Sequence, residues 1–144
     1  MAVGTVVLLT VQNILGTFLN LFVTLNDTSE YAGVFAAMFG SAAGVLHVVV
    51  AVLLLISLAV VMAVAWPTHR WQLRAPALAA LVSFLVAGYS GFHFVASQNN
   101  IYSFSMELGF LGVLLSEVAL LHVIGYRPSA PERTARPTIE PTRG

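Results

Sequence analysis

The chain has 144 residues, 58% of them hydrophobic and 8% charged, and its six basic and six acidic side chains cancel. A soluble domain of ordinary composition carries about 25% charged residues, so a chain this poor in charge cannot solvate its own surface and is expected to sit in lipid. Neutrality leaves no basic surface for nucleic acid, and the absence of cysteine removes disulfides, thiolate-ligated zinc, iron–sulfur clusters and thiol nucleophiles together.

A spanning helix needs roughly 20 mostly apolar residues, and four segments reach that length, at about 3–25, 38–66, 75–97 and 103–125. Short connections favour antiparallel neighbours, so residues 1–126 are predicted to be all-α, a four-transmembrane-helix antiparallel up-down bundle. The first span opens MAVGTVVLL, which lacks a basic start and a following small-residue cleavage site, and it is read as retained. It carries three amides, Gln12, Asn13 and Asn20, where aliphatic side chains would be at home in lipid. Asn13, Gly16, Asn20, Thr24 and Asp27 recur at steps of three or four and share one helix face. An unsatisfied amide in hydrocarbon costs several kcal/mol, so that face should point into the bundle or a wet cavity. Interhelical hydrogen bonding, worth ~0.6 kcal/mol per bond, is one use for it, and the wall of a site is another. Gln12 and Asn13 are expected near mid-membrane, with Asn20 in the outer third.

The turn-forming run Asn26–Tyr31 closes the first connection. The second span is long enough to tilt, or to begin with an interfacial turn near Ala36. Gly40, Gly44, His47 and Ala51 line one face of it, and Ser105, Gly109, Gly112 and Ser116 repeat the pattern on the fourth. Such small-residue stripes let helix backbones approach. Trp66, Pro67 and Trp71 read as an aromatic belt on one side of the membrane, with Tyr102 and Tyr31 marking the other. All six basic residues are arginines: Arg70 and Arg74 lie in the second connection, and Arg127, Arg133, Arg136 and Arg143 after the last span. The positive-inside rule then puts that connection and both termini in the cytoplasm, the host being the cytoplasmic membrane of the cell. Residues 127–144, with four prolines, alternating charge and little to bury, are expected to form a disordered tail.

His47 precedes Arg70 by 23 residues and His93 follows it by 23, so on antiparallel neighbours the two imidazoles share one depth. Two histidines at matched height on facing helices are what a b-type haem requires, and Gly40, Gly44, Gly88 and Gly91 leave room for a macrocycle. Ordinary hydrogen bonding to a serine or carbonyl of the next helix is the plainer use of each ring. Glu107 falls in the same layer, where it could fix a histidine tautomer. With His47 and His93 it could instead hold zinc or non-haem iron, although no HExxH or ExxH spacing supports a protease or di-iron site. Glu117 lies near mid-membrane and His122 nearer the cytoplasm; five apart, they are not a helical pair, but with Glu107 they could outline a proton route. His69, in the arginine-bearing connection, reads as solvated. Serine-hydrolase elbows, phosphate loops and dinucleotide fingerprints are absent.

The first span has the form LxxQxxLGxxLNLFV, through Leu9, Gln12, Leu15, Gly16, Leu19, Asn20 and Leu21-Phe22-Val23. In this it resembles a group of uncharacterised small prokaryotic four-span membrane proteins. That group also has a second-span histidine, matched by His47, and a third-span GxxGxxF, matched by Gly88, Gly91 and Phe94. The resemblance covers roughly residues 5–125 and implies a fold but no activity. The group carries a small residue at the position of His93, which sets a bis-histidine site apart from the resemblance.

Three classes of function stay open. The first is a haem-binding or electron-transfer component with His47 and His93 as axial ligands. The second is a non-catalytic accessory or assembly subunit of a membrane complex, or a homo-oligomer. The third is a small permease or proton-conducting protein using Glu107, Glu117 and His122. Enzyme chemistry is the weaker expectation, and the lipid bilayer is the one partner common to all.

Overall fold

The computed structural model describes residues 2–22 and 31–125, and every described residue outside short turns is helical. Thr24, Asp27, the Asn26–Glu30 run and the 127–144 tail lie outside the described residues, as does the side chain of Tyr31. The elements are α1 (Ala2–Phe22), α2 (Tyr31–Phe39), α3 (Ala42–Ala65), a single 3₁₀ turn (Trp66–Thr68), α4 (Trp71–Ser97) and α5 (Asn100–Gly125). Four segments, Val3–Phe22, Ala42–Thr68, Trp71–Ser97 and Asn100–Gly125, are long and apolar enough to cross a membrane. At 1.5 Å per residue the shortest of them spans about 30 Å, the thickness of a bilayer's hydrocarbon core.

The second span is not one rod. The chain bends at Gly40–Ser41, and the segment before the bend is the separate short helix α2. Ser41 caps α3: its backbone is extended, and its hydroxyl accepts the Gly44 backbone N–H at 3.0 Å. This supplies one of the acceptors that the first turn of a helix lacks. A methyl group on Gly44 would collide with the carbonyl of Met38, so this glycine serves the corner between α2 and α3.

Two other boundaries lie a turn earlier than hydropathy places them. α5 begins at Asn100 because the Asn99 side-chain oxygen accepts the Ile101 N–H at 3.0 Å and its carbonyl accepts the Tyr102 N–H at 3.0 Å. The connection to α4 is thereby reduced to Gln98 and Asn99, with Gln98 in the left-handed region at φ 51°. α4 begins at Trp71 and carries Pro76 inside it. That proline removes the hydrogen bond to the Gln72 carbonyl, which lies on an exposed turn where water or lipid headgroups can replace it. The α3–α4 turn is held by Thr68, whose hydroxyl donates to the Ala65 carbonyl at 2.7 Å. Arg74 also holds it, donating to the Trp66 carbonyl and lying 5.1 Å over the Trp66 ring.

α3 sits at the centre. Its Val50, Leu54 and Leu58 are buried with Leu9 of α1, Ala80 of α4 and Val113 of α5. A second cluster, Ala65, Ala77 and Leu120, closes the end near the α3–α4 turn. Outward-facing side chains such as Ile14, Leu46, Leu85 and Leu115 are at least half exposed. A water-soluble monomer does not present apolar surface on that scale.

The closest packing is between α4 and α5. A methyl group on Gly109 would stand 2.8 Å from the Ala87 nitrogen and from the Ser83 carbonyl oxygen, so here backbone meets backbone. Gly112 faces Ser83, Gly91 faces the Met106 sulfur, and Ser90 donates to Ser105 at 3.0 Å. Numbers fall along α4 as they rise along α5. α1 and α3 meet in the same sense, through Thr5 with Ser57 at 2.7 Å and Gln12 with His47 at 3.0 Å.

Candidate functional site

Between α1, α3, α4 and α5 lies a chamber of about 370 Å³, within the ~300–1,000 Å³ range of small-molecule sites. The amide face of α1 forms one wall: Gln12, Asn13, Gly16 and Asn20 all line the chamber, as their helical spacing requires. α3 contributes Gly44, His47 and Ala51. α4 contributes Phe84, Gly88, Gly91 and Phe92, and α5 contributes Met106, Glu107 and Phe110. Glu107 and Asn20 are exposed, placing them at the chamber's open rim, while Gln12 and His47 are half-buried.

Gln12 and His47 are a positioned pair. The Gln12 amide nitrogen lies 3.0 Å from His47 Nε2. One turn further along α1, a methyl group on Gly16 would come within 3.3 Å of His47 Cε1. The imidazole therefore lies against α1, bonded to the Gln12 amide and packed on bare backbone at Gly16. With Nε2 accepting from Gln12, the ring proton falls on Nδ1. His47 Nδ1 and the Gln12 carbonyl oxygen are both buried with no hydrogen-bond partner. The partner of His47 across the α1–α3 seam is thus Gln12, and Asn20 lines the same chamber further along α1.

His93 faces elsewhere. Its ring stacks on Tyr102, with centroids 5.2 Å apart and planes 24° from parallel, and it lies 4.3 Å from the Tyr89 ring. It is not among the residues lining the chamber. Axial ligation of a haem needs both imidazoles presented to one space. Here one ring lines the chamber with Nε2 engaged by Gln12, and the other is stacked on Tyr102 beside Tyr89, so the residues present do not fit that pairing. Nor do His47, His93 and Glu107 converge: among the described residues no three His, Asp or Glu side chains gather as a metal would need.

The remaining ionisable groups lie apart from the chamber. Glu117 is 0% exposed, and neither carboxyl oxygen has a hydrogen-bond partner. It is buried on the α5 face that carries Val113 and Leu120, whereas His122 is exposed. Ten residues of helix, about 15 Å of rise, separate Glu107 from Glu117, and no hydrogen bond from Glu117 bridges that interval. His69 is exposed, with Arg74 Nη2 at 3.2 Å from its Nδ1.

Two features escape the sequence reading. The part-buried Thr5–Ser57 hydroxyl pair had one signal: Ser57 is the lone polar residue between Ala51 and Ala65. The aromatic wall had a clearer one, since Phe84, Gly88, Gly91, Phe92 and Val95 fall at steps of four, three, one and three along one face of α4. No protein family, no curated protein and no solved structure matches this chain.

Proposed function

We propose that this chain is a small multi-pass protein of the cytoplasmic membrane whose chamber binds a lipophilic small molecule by its polar head. The four spans run up and down as an antiparallel bundle, with both termini and the Arg70–Arg74 turn on the cytoplasmic side. The observation that carries the binding role is the pair of unpartnered polar atoms, Gln12 Oε1 and His47 Nδ1, beside a chamber that is otherwise mostly apolar. An unsatisfied buried polar group costs about 1–3 kcal/mol, and a ligand head that bonds to it recovers that cost. Interhelical glue needs no such space: Thr5 with Ser57 and Ser90 with Ser105 join helices by closing on each other. This favours binding over a purely structural role for the α1 amides.

Gly88 offers a clean test, because it lines the chamber and a methyl group there meets nothing within 4 Å. A phenyl ring at this position fills the space from an open side. Native mass spectrometry of the protein released from its own membrane should show a bound molecule of discrete mass on the wild type. Gly88→Phe should lack it while keeping the helical circular dichroism of the parent. Identical spectra, with the same adducts or none on both, would sink the reading.

A further inference from the structure

Resting on the chamber reading, the charge of the lining names the class of molecule. We propose that the chamber binds lipophilic monocations, with the phenylalanines taking the apolar body and Glu107 the charge.

Of the described residues that line the chamber, Glu107 is the one carboxylic acid, and none is an arginine. The chain's arginines are at 70 and 74, at the start of α4, and at 127, 133, 136 and 143, later in sequence than α5. A fatty acid carboxylate or a phosphate brought into this space would meet a carboxylate and no counter-charge. A neutral ring would bring no counter-charge to Glu107. A cation does the reverse: it neutralises Glu107 while its apolar part leaves water.

The other walls suit the same occupant. Phe84, Phe92, Phe94 and Phe110 line the chamber, and an aromatic ring attracts a cation placed over its face, most when water is excluded. The Gln12 carbonyl oxygen is buried without a donor, a place for an ammonium N–H or for the positive edge of a quaternary centre. Met106 adds a polarizable thioether beside Gly91. Glu107 stands at the exposed rim, where an incoming cation meets it first.

The probe is radiolabelled tetraphenylphosphonium, measured by equilibrium binding to the full-length protein in lipid nanodiscs. Triphenylphosphine oxide serves as the neutral competitor. Saturable binding is expected, at least tenfold weaker in Glu107→Gln, largely restored in Glu107→Asp, unchanged in Glu117→Gln, and not displaced by the oxide. Size-exclusion profiles and circular dichroism of each variant separate lost binding from lost fold. Three results each overturn the proposal: no saturable binding to the wild type, equal affinity in folded Glu107→Gln, or displacement by the neutral oxide as effective as by unlabelled cation. Failure here is distinguishable from failure of the chamber reading. A neutral molecule that leaves on Gly88→Phe retains the chamber and removes the cation, whereas a wild type with no bound molecule and no phosphonium binding removes both.

Discussion

A single methyl group separates the glycines of this protein into those that seal, those that turn and those that leave room. At Gly109 it would press on the backbone of α4, at Gly44 on the carbonyl of Met38, and at Gly88 on nothing. Gly109→Ala should therefore lower the stability of the folded protein by about 1–3 kcal/mol, the usual cost of overpacking. Gly88→Ala should match the parent or gain up to about 1 kcal/mol, the helical preference for alanine over glycine. Thermal unfolding in one detergent, followed by circular dichroism, compares the two directly. Gln12→Leu removes the bond to His47, and interhelical bonds of this kind average ~0.6 and reach ~1.7 kcal/mol. The same melt should show a loss in that range, and a larger one would mean that Gln12 organises more than this contact. The sequence marked these positions by residue type and spacing, and the amide face of α1 does line one space. It could not tell which glycine meets a neighbour, because that depends on how far apart two backbones lie.

Helix ends are set by hydrogen bonds that hydropathy does not weigh. Polar residues at 98–102 read as a connection, yet Asn99 uses its side chain to start α5 one residue later. Ser41 does the same for α3 and divides what looked like one long second span. Ser41→Ala should cost about 1 kcal/mol, the usual loss for such a cap. Ser41→Asn should recover most of it in the same unfolding assay, since asparagine caps as well as serine. The two histidines teach a related lesson at the level of the helix. Counting outward from Arg70 compares depth, but each residue turns a helix by about 100°, so equal depth says nothing of direction. His47 looks into the chamber, and His93 looks toward Tyr89 and Tyr102. Only the packing of α4 on α5, through Ser90, Gly91 and Gly109, decides that direction.

For the molecule as a whole, four long apolar helices were legible from composition and run length alone, since lipid demands both. The chamber was legible only as a tendency of α1 to carry amides, because its other walls arrive from three separate helices. Orientation remains a matter of where the arginines lie, and the cysteine-free chain makes it simple to check. Gln72 and Asn100 are exposed at opposite ends of α4 and α5. A membrane-impermeant maleimide on intact cells should label Asn100→Cys, and should reach Gln72→Cys only after the membrane is opened. The opposite pattern would invert the proposed topology.

The glycine seam between α4 and α5 has a consequence for how the protein breathes. That pair is locked where its backbones touch, whereas α1 is held to α3 by two described side-chain hydrogen bonds and carries the amide wall of the chamber. Because the α4–α5 pair is locked by backbone contact, α1 is the wall expected to yield first if the chamber binds as proposed. Deuterium exchange should find its amides opening well before those between Ser83 and Gly112.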